Sequence, residues 1–187
     1  MLFYKQVIPS ILMVLIAASI LAFGCGTSNS HTPYNFKELG YSIIVPNSWG
    51  LKSRDNKMTR AWESPDKELM AALSITPVEI SKNNPLINDT PKLLTNKINR
   101  LIPLLQKDGY IILSTGKSKI GGLDGCYLIT SYYESDYIGN RNLVFFDNYF
   151  VRNGNRTYHI ICSYLDIEST TAKPILQQIL KSIKFKK

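Results

Sequence analysis

Apolar positions recur along the chain in two rhythms, behind an apolar run at the N-terminus. From Thr90 onward, Leu94, Ile98, Leu101 and Leu105 recur at three- and four-residue spacing, one stripe of an amphipathic helix. The spacing predicts a helix opening at Thr90, whose hydroxyl would cap the first free amides, with Pro91 at the first helical position. Pro103 falls inside the stripe and predicts a kink near the third turn, and Gly109 terminates it. A second capped segment, from about Ser169 to Ile183, carries Leu176, Ile179, Leu180 and Ile183 on one face, with Pro174 near its first turns.

The second rhythm is the alternation of strands. Tyr41 to Pro46 is a short strand stopped by proline and followed by Asn47-Ser48-Trp49-Gly50. Thr59 to Glu63 and Leu69 to Ile80 are the next two, separated by the turn Ser64-Pro65-Asp66. Four more follow the first helix: Tyr110 to Ser118, Gly125 to Tyr133, Asn142 to Val151 and Arg156 to Leu165. Gly121-Gly122 and Asn153-Gly154-Asn155 connect them, the latter a hairpin signal. Strands, helix, antiparallel strands, helix is the order of an α+β domain whose helices flank a mostly antiparallel sheet.

The N-terminal run belongs to neither rhythm. Lys5 precedes an apolar core from Ile11 to Phe23, and Leu21-Ala22-Phe23-Gly24-Cys25 places a small residue before a cysteine. A positive start, a short apolar core and a small-residue cleavage site make a secretory signal. The core falls short of the ~20 apolar residues of a membrane span. The run resembles the lipobox of a bacterial lipoprotein signal peptide, in which residues 1–24 are removed. That resemblance implies that Cys25 becomes the N-terminus and carries a diacylglycerol and palmitate-type acylation. The protein would then be held by lipid on the outer side of the cell membrane. An uncleaved N-terminal anchor and ordinary secretion are the alternatives. Residues 25–33, polar and aperiodic, are expected to form a flexible tether, and residues 34–187 a single domain.

Charge adds little to this picture. The formal net charge is +8, spread along the chain apart from the tail Lys181, Lys184, Lys186 and Lys187. Such a surface is attracted to anionic headgroups, but no Arg-rich or basic-aromatic motif points to nucleic acid. Besides Cys25 the chain has Cys126 and Cys162, both in apolar runs and not in a spaced disulfide framework. In a meander of the last strands these two are two strands apart, about 9.6 Å, beyond the ~7 Å reach of a disulfide. Both are expected to be free and buried.

Four stretches together resemble the PsbP/DcrB superfamily, small domains often carried by bacterial lipoproteins. Tyr41-Ser42-Ile43-Ile44-Val45-Pro46-Asn47-Ser48-Trp49 is similar to its opening strand, and Ile120-Gly121-Gly122-Leu123-Asp124-Gly125 to the approach to its C-terminal sheet. Gly154-Asn155-Arg156-Thr157-Tyr158-His159-Ile160 resembles its last hairpin, and Ile179-Leu180-Lys181-Ser182-Ile183-Lys184-Phe185 its closing helix. The resemblance covers about residues 34–185. It implies an α/β/α sandwich without catalytic residues, and members that bind or assemble, including an accessory protein of a photosynthetic oxygen-evolving complex and a partner of a nuclear-transport GTPase. It also implies an aromatic residue at Trp49, which is expected to close one end of the core.

Candidate chemistry is sparse. His31 lies in the tether and His159 in an apolar strand, on the face opposite Cys162 by alternation, so the two cannot form a nucleophilic pair. No second histidine near His159 in the sequence and no Cys-x-x-Cys is present for zinc. Glu63, Asp66 and Glu68 flank a solvated turn, and Gly121-Gly122 lacks the Gly-Lys-Ser/Thr of a phosphate loop. No catalytic residue, metal or cofactor is therefore expected. The C-terminal sheet is rich in tyrosine, which serves equally as strand former and contact residue. Ser131 to Arg141, with Tyr132, Tyr133 and Tyr137, is the candidate contact loop. The expected function is non-enzymatic: binding or supporting another envelope protein, or alternatively holding a small apolar or lipid-like ligand between sheet and helix. A pocket of ~300 Å³ or more lined by Tyr and Leu favours the ligand, and a filled core with an exposed aromatic patch favours the protein partner.

Overall fold

The computed structural model describes residues 30–53, 58–65, 71–135 and 138–186. Cys25, Tyr137, Asp66 and Glu68 lie outside the described residues. Among the described residues, ten strands and two α-helices follow one another: β1 (His31–Phe36), β2 (Tyr41–Pro46), β3 (Gly50–Ser53), β4 (Arg60–Glu63), β5 (Ala72–Glu79), α1 (Thr90–Lys107), β6 (Ile111–Ile120), β7 (Leu123–Ser135), β8 (Arg141–Asn153), β9 (Arg156–Leu165), a 3₁₀ turn at Asp166–Glu168, α2 (Ser169–Ser182) and β10 (Lys184–Phe185). The chain is an α+β fold dominated by antiparallel sheet.

A seven-stranded sheet runs β3-β4-β5-β9-β8-β7-β6, with every neighbouring pair antiparallel. Strands β6 to β9 form the expected meander, and Gly154-Asn155 turns β8 into β9 with Gly154 at φ 60°. Strand β5 pairs with β9 from Ala72↔Ser163 to Glu79↔Arg156, which puts β9 at the centre. One face of this sheet is covered by α1. The other is covered by α2 together with a small second sheet, β1-β2-β10.

The larger core lies on the α2 side. Leu73, Ile75, Tyr158, Ile160, Cys162 and Tyr164 point into it from the sheet, and Leu176, Ile179 and Ile183 from the closing segment. Trp49 is 5% exposed within this core, as expected from its place behind β2. The smaller core lies on the α1 side, where Leu94 and Ile98 meet Cys126, Leu128 and Phe150.

Several expectations shift. The segment assigned to a tether through residue 33 is already strand at His31, because Tyr34 and Phe36 alternate inward and set their rings at 5.6 and 5.9 Å from Trp62. Pro33 is tolerated there because β1 is an edge strand. The residues after Trp49 form β3, held by its pairing with β4. The cap of α1 is Asp89, whose carboxylate accepts from the Lys92 amide at 3.1 Å; the Thr90 hydroxyl instead accepts from Arg152 at 3.3 Å. The helix runs on past Pro103 to Lys107. It closes with the Gly109 amide on the Gln106 carbonyl and the Tyr110 amide on the Leu105 carbonyl, Gly109 at φ 86°. This is the Schellman pattern that satisfies the last free carbonyls. Cys126 and Cys162 are free, buried and separated by β8.

Candidate functional site

The two faces of strands β5 and β9 differ in chemistry. Toward α2 they present Leu73, Ile75, Ile160, Cys162 and Tyr164, which belong to the larger core. Toward α1 the same strands present Ala72, Ser74, Thr157, His159 and Ser163, small or polar side chains set by the period-two alternation, with Ile161 the large apolar one among them. Helix α1 packs chiefly on β6, β7 and β8. The β5-β9 strip beside it is left with a floor too small and too polar to fill the space.

Two cavities occupy that strip. One, of about 300 Å³, lies between Leu101, Leu105 and Tyr110 on one side and Ser74, Asn148, His159, Ile161 and Ser163 on the other. Thr130 also lines it, 1% exposed, and its hydroxyl has no hydrogen-bond partner among the described residues. A buried hydroxyl without a partner costs about 1–3 kcal/mol. The second cavity, of about 570 Å³, is bounded by Val78, Leu86, Leu93, Leu101 and Leu104, with Lys97 and Arg100 among its lining side chains. The two share Leu101 as a wall, and Thr157 of the larger precedes His159 of the smaller on the same face of β9.

His159 sits at the centre. Its Nε2 lies 3.0 Å from Asn148 Oδ1, and its ring stacks on Phe150 at 4.4 Å. Burial, with the Lys97 charge nearby, holds the imidazole down at about 4. It is neutral at physiological pH and serves as a hydrogen-bonding wall. Cys162 is on the opposite face, as alternation requires. Cys126 is on the same face but two strands away, and register places Phe150 between Cys126 and His159. The Cys126 thiol is raised by burial to about 11, so no thiolate faces the imidazole. The arrangement suits binding and provides no nucleophile-base pair. Among the described residues no three His, Cys, Asp or Glu side chains gather as metal ligands, and no helix is long and apolar enough to cross a membrane.

Of the candidate contact tyrosines, Tyr132 and Tyr133 are described. Both belong to β7, paired with β8, so the loop expected from Ser131 is strand as far as Ser135. As neighbours on a strand they face opposite ways. Tyr132 leans on Tyr110 at 5.1 Å on the α1 side, and Tyr133 lies under the Arg141 guanidinium at 4.7 Å. Sequence reasoning missed Lys97, Thr130 and Ser163. Thr130 and Ser163 break otherwise apolar strands, which is the one signal that pointed to an unfilled face.

On the α2 side, a third cavity of about 710 Å³ is lined by Leu113, Ile129, Phe145, Tyr164 and Lys173. Beside it Asp147 is buried, accepts hydrogen bonds from the Tyr164 hydroxyl at 3.3 and 3.4 Å, and is raised by burial above the usual carboxylate range.

The fold is shared with solved structures of low sequence identity. The chain superposes on PsbP (CyanoP) of Synechocystis with a TM-score of 0.60 at 14% identity, over 87% of this chain and 96% of that one. It superposes on the Ran-binding protein Mog1p of Saccharomyces cerevisiae with a TM-score of 0.53 at 9% identity, over 84% and 96%. A Bacteroides thetaiotaomicron protein matches at 0.56 and 13% identity, over 83% of this chain and 48% of that one. The domain therefore has the PsbP-like fold. No family model matches the sequence, and no curated protein does.

Proposed function

We propose that this is a non-enzymatic, lipid-anchored binding protein of the cell envelope, with Cys25 as the lipidated residue and the cleft beside α1 as its ligand site. The observation that carries the ligand reading is the mismatch of the α1-side floor. Strands whose other face is packed with Leu, Ile and Tyr present Ser74, Ser163, His159 and an unpartnered Thr130 hydroxyl to an unfilled space. Leu101, Leu105 and Tyr110 line the 300 Å³ cavity, in the size range of small-molecule sites. A non-enzymatic role is supported by the neutral His159, engaged with Asn148, and by the Phe150 ring between it and Cys126. The lipid anchor rests on the lipobox-like run ending at Cys25.

Filling the floor tests the ligand reading. Ser163→Leu places a branched side chain in the cavity, and solvent extracts of the variant purified from its own membrane should lack a small molecule that accompanies the wild type in stoichiometric amount. Identical extracts from the two proteins would overturn it. Mass spectrometry should find the mature N-terminus at Cys25 with added lipid mass, and an intact Met1 would overturn the anchor.

A second reading, docking of another envelope protein, is favoured by exposed apolar side chains at the end of the sheet where β7 passes to β8. Ile111, Leu113, Tyr133, Ile138 and Ile167 are all exposed there, Ile167 at 81%. Crosslinking on intact cells tests it: a specific partner should attach at this end in the wild type and be lost with Ile138→Asp and Ile167→Asp.

A further inference from the structure

The larger cavity beside α1 has apolar walls on one side, and Ser81, Asn83, Asn84, Asn96 and Thr157 among its neutral polar lining. Its apolar walls are Val78, Leu86, Leu93, Leu101 and Leu104, and it contains Lys97 and Arg100 at adjacent turns of one helix. Its single carboxylate, Glu79, is already paired with Arg156 at 3.4 Å. Neither Lys97 nor Arg100 forms an ion pair with a described residue. Lys97 is half-buried, and its ammonium lies 5.9 Å from the centre of the Phe150 ring. Burial lowers its pKa, with the Cys126 thiol opposing that shift. A partly desolvated cation in an apolar cleft, without a counter-ion, is complementary to an anion that brings an apolar body.

We propose that the cleft binds a free, single-chain amphiphile with a carboxylate head, the head held by Lys97 and Arg100 and the apolar body laid along Val78, Leu93, Leu101 and Leu104. This rests on the reading of the cleft as a ligand site. Lys97 contributes a compact ammonium with three rotatable donors above Phe150, and Arg100 at the rim contributes a fork that matches a carboxylate bidentately. Glu79 lies on the β5 side of the cavity with its charge already compensated by Arg156, while Lys97 and Arg100 repel a cationic head. The cavity volume, about 570 Å³, is in the range of small-molecule sites.

The test uses the full chain in phosphatidylcholine nanodiscs and three photoreactive probes of one chain length: diazirine-bearing decanoate, the matching alcohol and the matching trimethylammonium. Labelled residues are mapped by mass spectrometry, which separates cleft binding from partition into lipid. The acid should label the segment from Val78 to Leu104 about ten-fold more than the alcohol, as expected for one charge-assisted contact, and the ammonium least. Lys97→Gln with Arg100→Gln should bring the acid down to the alcohol, while Lys97→Arg retains the preference. Equal labelling by acid and alcohol in the wild type would overturn the assignment of an anionic head while leaving a binding cleft. No cleft labelling by any probe would overturn both readings. Competition by phosphatidylglycerol added to the disc would overturn a free acid as the source of the head.

Discussion

His159 and Asn148 face each other across β9 and β8 with Nε2 and Oδ1 3.0 Å apart. The Asn148 amide nitrogen donates to the Leu128 and Phe146 carbonyls, each at 3.2 Å, so its oxygen is the atom turned to the imidazole. The proton of neutral His159 therefore resides on Nε2. Protonating the other nitrogen adds a charge beside Lys97 in a buried place, which is why the imidazole is held at about 4.

This gives a pH signature. The unfolded chain binds the proton near the ordinary value of 6.5 and the folded chain only near 4, so the stability is complete above 6.5 and is lost as pH falls from 6.5 to 4. The loss is about 3 kcal/mol at the conversion of 1.36 kcal/mol per pH unit. Asp147 acts with the opposite sign, since its folded carboxyl is raised by burial and its contribution is lost as pH rises above the ordinary value of 3.8, so it offsets part of the His159 loss. Urea unfolding between pH 7 and 4 should show this loss in the wild type and a flatter profile in His159→Gln. Parallel profiles would contradict the assignment.

Trp49 closes the larger core and is buried. Trp49→Ala should cost about 3–5 kcal/mol, and at roughly 2–4 °C per kcal/mol for a domain of this size the melting temperature should fall by about 10 °C. An unchanged melting temperature would take Trp49 out of the core.

The cap correction is separable by mutation. Asp89 accepts from the Lys92 amide, whereas Thr90 lies inside the first turn. Asp89→Ala should destabilise by about 1 kcal/mol and Thr90→Ala by less, measured by denaturant midpoint. The reverse order would restore Thr90 as the cap.

Cys126 and Cys162 are kept apart by a whole strand, and both thiols are raised by burial. Thiol titration of the unfolded, unreduced Cys25→Ser chain should count two. A count of zero would contradict the sheet order.

The parts of the fold that were legible are those where local pattern and tertiary role agree. The Leu94-Ile98 stripe, the hairpin at Gly154-Asn155 and the strand from Tyr41 to Pro46 each carry their own signal. Strand β3 was hidden because Gly50-Leu51-Lys52-Ser53 has no alternation of its own and exists through its pairing with β4. The site was harder to see. Ser74 and Ser163 become neighbours of one floor only once β5 pairs with β9, a choice the long connection through α1 leaves open. Lys97 reads as an ordinary polar position of a helix until its ammonium is placed over Phe150. Tyr132 and Tyr133 read as one feature in the sequence, but they are consecutive in a strand, and strand geometry sends them to opposite faces.

The most direct measurement is an experimental structure of the protein purified from its own membrane without delipidation. An elongated density between Leu101 and the β9 face at Thr157 and His159, with its polar end at Lys97, is the predicted result. A cleft closed by α1 settling onto Ser74 and Ser163, with no room left beside Thr130, would contradict the account.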